Sequence, residues 1–320
     1  MTERTIPENV YDVIIIGGGP GGLTAGIYAS RARMKAMLVE GSTTVSQITM
    51  TDMLENYPGL PGITGMELID RFRQQALSFG LEIKTEHVTS LRKGRRGDIT
   101  VWTVTTDRGE YEALSVIVST GAEWRHLGVP GEDRLIGRGV SFCATCDAPF
   151  YRNREVAVVG GGDTAVTEAI YLTKFAKMVK LIHRRDRLRA TGILQERAFA
   201  TEKISFVWDS VVEEILGDNG VTGLKVRNLK SDEATELSVD GVFLFIGLLP
   251  NTKLFSELVN CNKDGYIIVD SEMRSSEESL FACGDCTQKS LRQVVTACGD
   301  GAVAAHSAGL YVDDLKGQSY

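Results

Sequence analysis

Two stretches of this sequence follow one plan, and a chain that carries both has few folds open to it. In the first, Tyr11-Asp12-Val13-Ile14-Ile15-Ile16 is a short apolar run rich in β-branched residues. That is the composition of a strand buried on both faces of a parallel sheet. Gly17-Gly18-Gly19-Pro20-Gly21-Gly22 follows at once, and Leu23 to Arg33 reads as a helix with small residues on one side. In the second stretch, Glu155-Val156-Ala157-Val158-Val159 runs into Gly160-Gly161-Gly162-Asp163-Thr164-Ala165, and a helix begins at Val166. A strand, a glycine loop and a helix in this order bring backbone amides and a helix N-terminus to a pyrophosphate. The repeat predicts an α/β chain with two Rossmann-like, three-layer nucleotide-binding domains, and 320 residues leave room for both.

The two units differ where their next strands end. Ala36-Met37-Leu38-Val39 ends at Glu40, twenty-one residues beyond Gly19, while Val179-Lys180-Leu181-Ile182 ends at His183, twenty-one residues beyond Gly162. An acid at that place suits the free ribose hydroxyls of a dinucleotide. After His183 come Arg184 and Arg185, and arginine forks suit a 2′-phosphate. The second nucleotide is therefore read as NADPH rather than NADH, with a basic, solvated helix start as the alternative.

Between the units lies Cys143-Ala144-Thr145-Cys146-Asp147. Two cysteines at this spacing can close a disulfide ring that opens when two electrons arrive, and such settings commonly lower one thiol's pKa. Asp147 is placed to give or take the accompanying proton. Zinc sites and structural disulfides use the same spacing, so the pair alone is ambiguous. Compartment bears on it. The N-terminus lacks the basic and then apolar regions of a signal peptide, and no apolar run reaches the ~20 residues that span a bilayer. A cytoplasmic protein is expected, where Cys-x-x-Cys is more often catalytic or metal-binding than a permanent staple. A net charge of −7 argues against a general affinity for nucleic acid or anionic membrane.

Elsewhere, residues 41–66 read as loops and Glu67 to Phe79 as a helix. Leu81 to Val118 reads as short alternating strands with hairpin tips at 93–98 and 106–109, the basic residues 92–96 forming a solvated turn. Ala113 to Val118 is a buried strand. Two strands and a hairpin are expected over 204–229, and Leu248-Leu249-Pro250-Asn251 reads as a turn. Ser119–Glu123 and Gly247–Asn251 are the expected crossings between domains, giving 1–118 with 250–320 as one domain and 119–249 as a second inserted in it. A helix is expected from Val294 towards Leu310. Cys283 and Cys286 flank Asp285, and with Cys143 and Cys146 they permit a zinc or iron–sulfur reading, against which stands the frequency of free buried cysteine. Cys261 is expected in a surface loop, and His87, His126 and His306 are expected to be structural.

Gly-x-Gly-x-x-Gly, Cys-Ala-Thr-Cys-Asp, Gly-x-Gly-x-x-Ala, His-Arg-Arg-x-x-x-Arg, Gly-Asp and Arg-Gln, in this order, resemble the low-molecular-weight thioredoxin reductases from about Asp12 to Leu310. The cysteine and His-Arg-Arg motifs are specific to that group; the glycine loops are not. The resemblance implies an FAD domain made from both chain ends, an NADPH domain between them, a homodimer, and rotation of one domain relative to the other. It implies that FAD is held by Gly17, Gly19, Pro20, Gly22, Glu40, Gly41, Gln47, Asn56, Val88, Asp285, Arg292 and Gln293. NADPH falls to Gly160, Gly162, Thr164, His183, Arg184, Arg185, Arg189 and Ile246. By the same resemblance Cys146 faces the flavin, Cys143 attacks a thioredoxin-like protein's disulfide, and Asp147 supplies the proton. Thr44-Val45-Ser46 departs from the family's two glycines before the glutamine at 47, which bears on the turn there. Two other enzymes of this architecture fit less well. An FAD-dependent dithiol oxidase has no use for the arginines, and an NADPH–ferredoxin-type reductase has none for the cysteine pair. A non-enzymatic redox sensor or four-cysteine metal module is the remaining class.

Overall fold

The computed structural model describes residues 9–41, 46–50, 54, 57–60, 62–142 and 144–317. They form two compact units, Met1–Glu123 with Leu249–Tyr320, and Trp124–Leu248.

The first unit opens with β1 (Tyr11–Ile16), α1 (Pro20–Arg31) and β2 (Ala36–Glu40). After a 3₁₀ turn at Gln47–Met50 come α2 (Gly65–Ser78), β3 (Glu82–Thr85), β4 (Val88–Arg96), β5 (Ile99–Thr106) and β6 (Glu110–Val118). The strand order is β3-β2-β1-β6-β5-β4. β1, β2, β3 and β6 pair in parallel, while β5 pairs antiparallel with both β4 and β6. The apolar run Val13 to Ile16 of β1 serves both faces, as its unbroken hydrophobicity requires. Val13 and Ile15 are buried among residues of α1 and α2, whereas Ile14 and Ile16 are buried on the opposite face with Trp102 and Val104 of β5. Fully burying each such side chain is worth about 1.5–3 kcal/mol.

One hairpin departs from its expected form. Arg95 pairs with Thr100 and Arg96 with Ile99, so residues 92–96 are strand and the turn is Gly97-Asp98, with Gly97 at φ +60°. A run of exposed arginine and lysine reads as a turn because nothing apolar marks that edge; pairing with β5 holds it extended.

The chain leaves through β7 (Ala122–Trp124) into the second unit. There follow α3 (Glu132–Leu135), β8 (Val140–Ser141), α4 (Ala144–Asp147), β9 (Glu155–Val159), α5 (Asp163–Leu172), β10 (Met178–Ile182) and α6 (Gly192–Phe199). Then come β11 (Ile204–Val207), β12 (Ser210–Leu216), β13 (Gly223–Asn228), β14 (Ala234–Ser238) and β15 (Gly241–Leu244). Its parallel sheet has the order β11-β10-β9-β15-β8, and β12-β13-β14 is a separate antiparallel sheet, one strand more than the sequence pattern marks. Val156 and Val158 pack with α5 and α6; Ala157 and Val159 pack with β12 and β13. In each unit helices thus cover one face of the parallel strands, and side chains from antiparallel strands pack on the other.

The return runs through β16 (Leu248–Pro250), a strand where a turn is expected, then β17 (Leu280–Ala282) and α7 (Val294–Leu315). β17 joins the first sheet beside the C-terminal half of β6. Within the first unit Thr120 Oγ1 donates to Asn251 O at 2.6 Å and Asn251 N to Gly121 O at 3.0 Å, holding the outgoing and returning chain together.

Candidate active site and nucleotide sites

The two glycine loops are built by the same contacts. Gly17 (φ +115°) and Gly160 (φ +152°) both lie in backbone territory that favours glycine. A Cβ on Gly17 falls 2.2 Å from Ser119 O, and one on Gly160 falls 2.4 Å from Phe245 O. In each unit the loop therefore presses against the strand end beside it, and its first amide donates to the next strand, Gly17 N to Val39 O at 2.8 Å and Gly160 N to Ile182 O at 3.1 Å.

The second glycine of each loop makes room for the group at the end of the next strand. At Gly18 a Cβ falls 1.8 Å from Glu40 Oε2; at Gly161 one falls 2.4 Å from the His183 ring. The equal spacing in sequence becomes equal placement in space, with a carboxylate in one unit and an imidazole in the other.

In the first unit the Glu40 carboxylate also meets Arg73 of α2, at 2.6 and 2.8 Å to its two oxygens. Sequence reasoning missed Arg73, which lies within an ordinary amphipathic helix with no motif around it. Gly41 is half-buried next to Glu40. Val88 begins β4, and the turn before it is pinned: Glu86 N donates to Glu40 O at 2.9 Å. The buried Glu86 carboxylate accepts from Thr106 Oγ1 at 2.7 Å and Tyr111 Oη at 3.0 Å. Gln47 starts the 3₁₀ turn, but its side chain lies outside the described residues, as does Asn56 altogether.

Asp285 sits in a 3₁₀ turn after β17, with Oδ1 buried and without a hydrogen-bond partner among the described residues. Burial raises its pKa, against the lowering charges of Lys289 and Arg292. Gly284 N donates to Asp300 Oδ2 at 3.1 Å, and Lys289 pairs with the same oxygen. Arg292 lies 3.9 Å over the Tyr266 ring. Gln293 caps α7, its side chain accepting from the Thr296 amide while its own amide donates to Thr296 Oγ1. A buried acceptor left open beside a glycine loop fits a hydroxyl-bearing dinucleotide such as FAD.

In the second unit His183 is 6% exposed and its Nε2 has no partner among the described residues. Burial, then the charges of Arg189, Arg184 and Arg185, lower its pKa. The three arginine side chains are exposed. Arg189 N donates to Gly161 O at 2.6 Å, tying their loop to the glycine turn. Thr164 is exposed in the first turn of α5, Gly162 is its N-cap, and Ile246 is half-buried after β15. An open imidazole nitrogen with three exposed arginines nearby fits a phosphorylated nucleotide such as NADPH. One further buried acid had no motif: Glu168 Oε2 in α5 has no partner, and burial raises its pKa.

Of the redox motif, Cys143 and the Cys146 side chain lie outside the described residues. The backbone of 144–147 is a short helix, α4. Ala144 and Ala148 are buried in the cluster that holds Ala165 and Ala169 of α5, so the cysteine stretch is anchored to the helix after the second loop. Asp147 is half-buried, and Tyr151 has its pKa raised by burial and then by the Asp147 charge.

The other cysteines are free thiols. Cys283 packs on the helical face of the first sheet and Cys286 on the opposite face, both 0% exposed. Burial pushes the Cys283 thiol far up and Cys286 to about 11, which makes both poor nucleophiles. Cys298 is half-buried, and Cys261 is half-buried and bridged to Ile267 rather than lying in a free loop. His126 Nδ1 lies 3.1 Å from the buried Glu132; His87 and His306 are exposed.

Residues 11–301 match the pyridine nucleotide-disulphide oxidoreductase family. The chain is 47% identical over 310 residues to a thioredoxin reductase of Listeria monocytogenes, covering 97% of this chain and 96% of that one. It is 44% identical to a thioredoxin reductase of Bacillus subtilis, covering 97% of each. Its structure is similar to that of Lactococcus lactis thioredoxin reductase in the FR conformation, with a TM-score of 0.83 and 43% identity over 95% of this chain and 99% of that one.

Proposed function

The chain belongs to the pyridine nucleotide-disulphide oxidoreductase family, and from that premise we propose that it is an NADPH-dependent thioredoxin-disulfide reductase. The observation that carries this reading is its end-to-end likeness to thioredoxin reductases. The two loops with unlike partners, one beside the Glu40 carboxylate and one beside the His183 imidazole with its arginines, agree with it.

FAD, when bound, supplies a two-electron relay between NADPH and the disulfide. In the first unit the amides at the opening of α1, in the turn shaped by Gly17, Gly19, Pro20 and Gly22, would hold the pyrophosphate, Glu40 the adenosine ribose, and Asp285 a hydroxyl, with Gly41, Gln47, Asn56, Val88, Arg292 and Gln293 around them. In the second, Gly160, Gly162, Thr164 and Ile246 cradle NADPH while His183, Arg184, Arg185 and Arg189 surround its 2′-phosphate. Two electrons and a proton open the Cys143–Cys146 bond, leaving one thiol and one thiolate. The Cys143 thiolate attacks a sulfur of the thioredoxin-like protein and forms a mixed disulfide. Cys146 then displaces the partner's sulfur, and Asp147 hands over the second proton. The balance is NADPH, a proton and a disulfide in; NADP⁺ and a dithiol out.

Rotation of one unit relative to the other, as in the family, is assigned to the crossings at 123–124 and 248–249. We assign a homodimer as well, supported by Tyr28 of α1 and Val303 and Leu310 of α7, large apolar side chains left exposed. A cytoplasmic location agrees with the absence, among the described residues, of any helix long and apolar enough to cross a membrane. The test is stopped-flow reduction of the purified yellow protein by NADPH, with and without oxidised thioredoxin. Rapid bleaching followed by thioredoxin-dependent recovery is expected. Recovery driven by oxygen alone, whatever disulfide protein is added, points to the oxidase reading and overturns the proposal.

A further inference from the structure

Arg73 joins Glu40 through a bidentate contact, and both side chains are largely sheltered, at 34% and 15% exposure. A planar fork facing a carboxylate is the strongest ordinary form of ion pair, and it fixes orientation as well as distance. Its base is rigid. α2 buries Leu68, Ile69, Phe72 and Ala76 in the helical-face core, and Thr64 caps its first turn through the Glu67 amide at 3.1 Å. Arg73 projects beside Phe72, one residue from that buried face. The carboxylate is held from a second side by Gly18, which leaves space only because it has no Cβ.

An unheld glutamate at a strand end samples several rotamers, and each must be frozen out when a ligand uses it. Here the fork takes one lone pair from each oxygen and leaves another on each. Two acceptors at fixed spacing match a vicinal diol. We propose that Arg73 is a positioning residue for the flavin nucleotide, holding the Glu40 carboxylate ready for the two ribose hydroxyls of the adenosine half. This rests on the reading of Glu40 as the ribose contact.

The test is a double-mutant cycle on the dissociation constant for FAD, read from the fluorescence of flavin released when the holoenzyme is diluted. Glu40→Gln should weaken binding. Arg73→Gln should weaken it about tenfold, the size of effect that losing an outer hydrogen-bond partner has at metal sites. Arg73→Lys, which keeps the charge and loses the fork, should fall between; it carries the test alone if Arg73→Gln does not fold. On the Glu40→Gln background, Arg73→Gln should weaken binding no further. A full additional loss there, or unchanged or tighter binding by both Arg73 variants, overturns the proposal for Arg73 and leaves Glu40 in place. Unchanged binding by Glu40→Gln overturns both.

Discussion

Replacing Asp285 with asparagine should move two properties in opposite directions. Asp285 Oδ1 is buried without a partner among the described residues, so the protein stripped of FAD bears the cost of an unsatisfied carboxylate oxygen. That cost is about 1–3 kcal/mol for a polar group, more when charged. Asparagine keeps the shape and removes the charge. Because burial raises the Asp285 pKa, the group's stabilising contribution is full below the unfolded value of about 3.9 and is lost as pH rises through the folded value. The flavin-free variant, whose amide still lacks a partner there, should therefore recover only the excess cost of the charge, about 1–1.5 kcal/mol at pH 7–8. At roughly 2–4 °C per kcal/mol, thermal midpoints should rise by about 2–6 °C. The advantage should shrink as pH falls and vanish near pH 4. Bound FAD reverses the sign, since the carboxylate then accepts from a hydroxyl. Exchanging a charged for a neutral hydrogen bond costs about 1–1.5 kcal/mol, or roughly five- to tenfold in affinity. Calorimetry of the flavin-free proteins between pH 4 and 8, with flavin titrations beside it, checks both arms. A variant less stable at pH 7.5, or a difference flat with pH, refutes the account of Asp285 as an open acceptor.

Arg184→Ala or Arg185→Ala should raise the Michaelis constant for NADPH by about ten- to a hundredfold, the worth of one charge-assisted bond, and leave NADH kinetics nearly unchanged; equal use of both nucleotides by the parent enzyme sinks this. Gly161→Ala places a methyl group against the His183 ring. With overpacking at about 1–3 kcal/mol, NADPH binding should weaken tenfold or more while the purified protein stays yellow; colourless protein with normal NADPH binding contradicts it. Replacing Cys283, Cys286 and Cys298 with alanine should leave thioredoxin turnover largely intact, at roughly 1 kcal/mol of stability for each buried sulfur. Loss of turnover in well-folded protein, measured by the standard coupled assay, argues that one of them takes part.

What the sequence determined by itself is whatever a short window of chain can specify. The runs at 13–16 and 156–159 are apolar at every position, which demands burial on two faces. The glycines after each are placed where neighbouring strand ends leave no space for a Cβ. Glu40 and His183 were legible because a fixed loop and helix separate them from their glycines, so distance along the chain translates into position. Tertiary structure alone decided the rest, because those contacts join residues far apart in sequence. Nothing in α2 announces that Arg73 reaches Glu40, thirty-three residues away. Cys283 and Cys286 look like a pair by spacing, yet the chain turns between them and buries one sulfur on each face of the sheet. The exposed basic edge of β4 reads as a turn until β5 pairs with it. Asp285 is informative for what it lacks, and whether a buried oxygen finds a partner depends on every element packed around it.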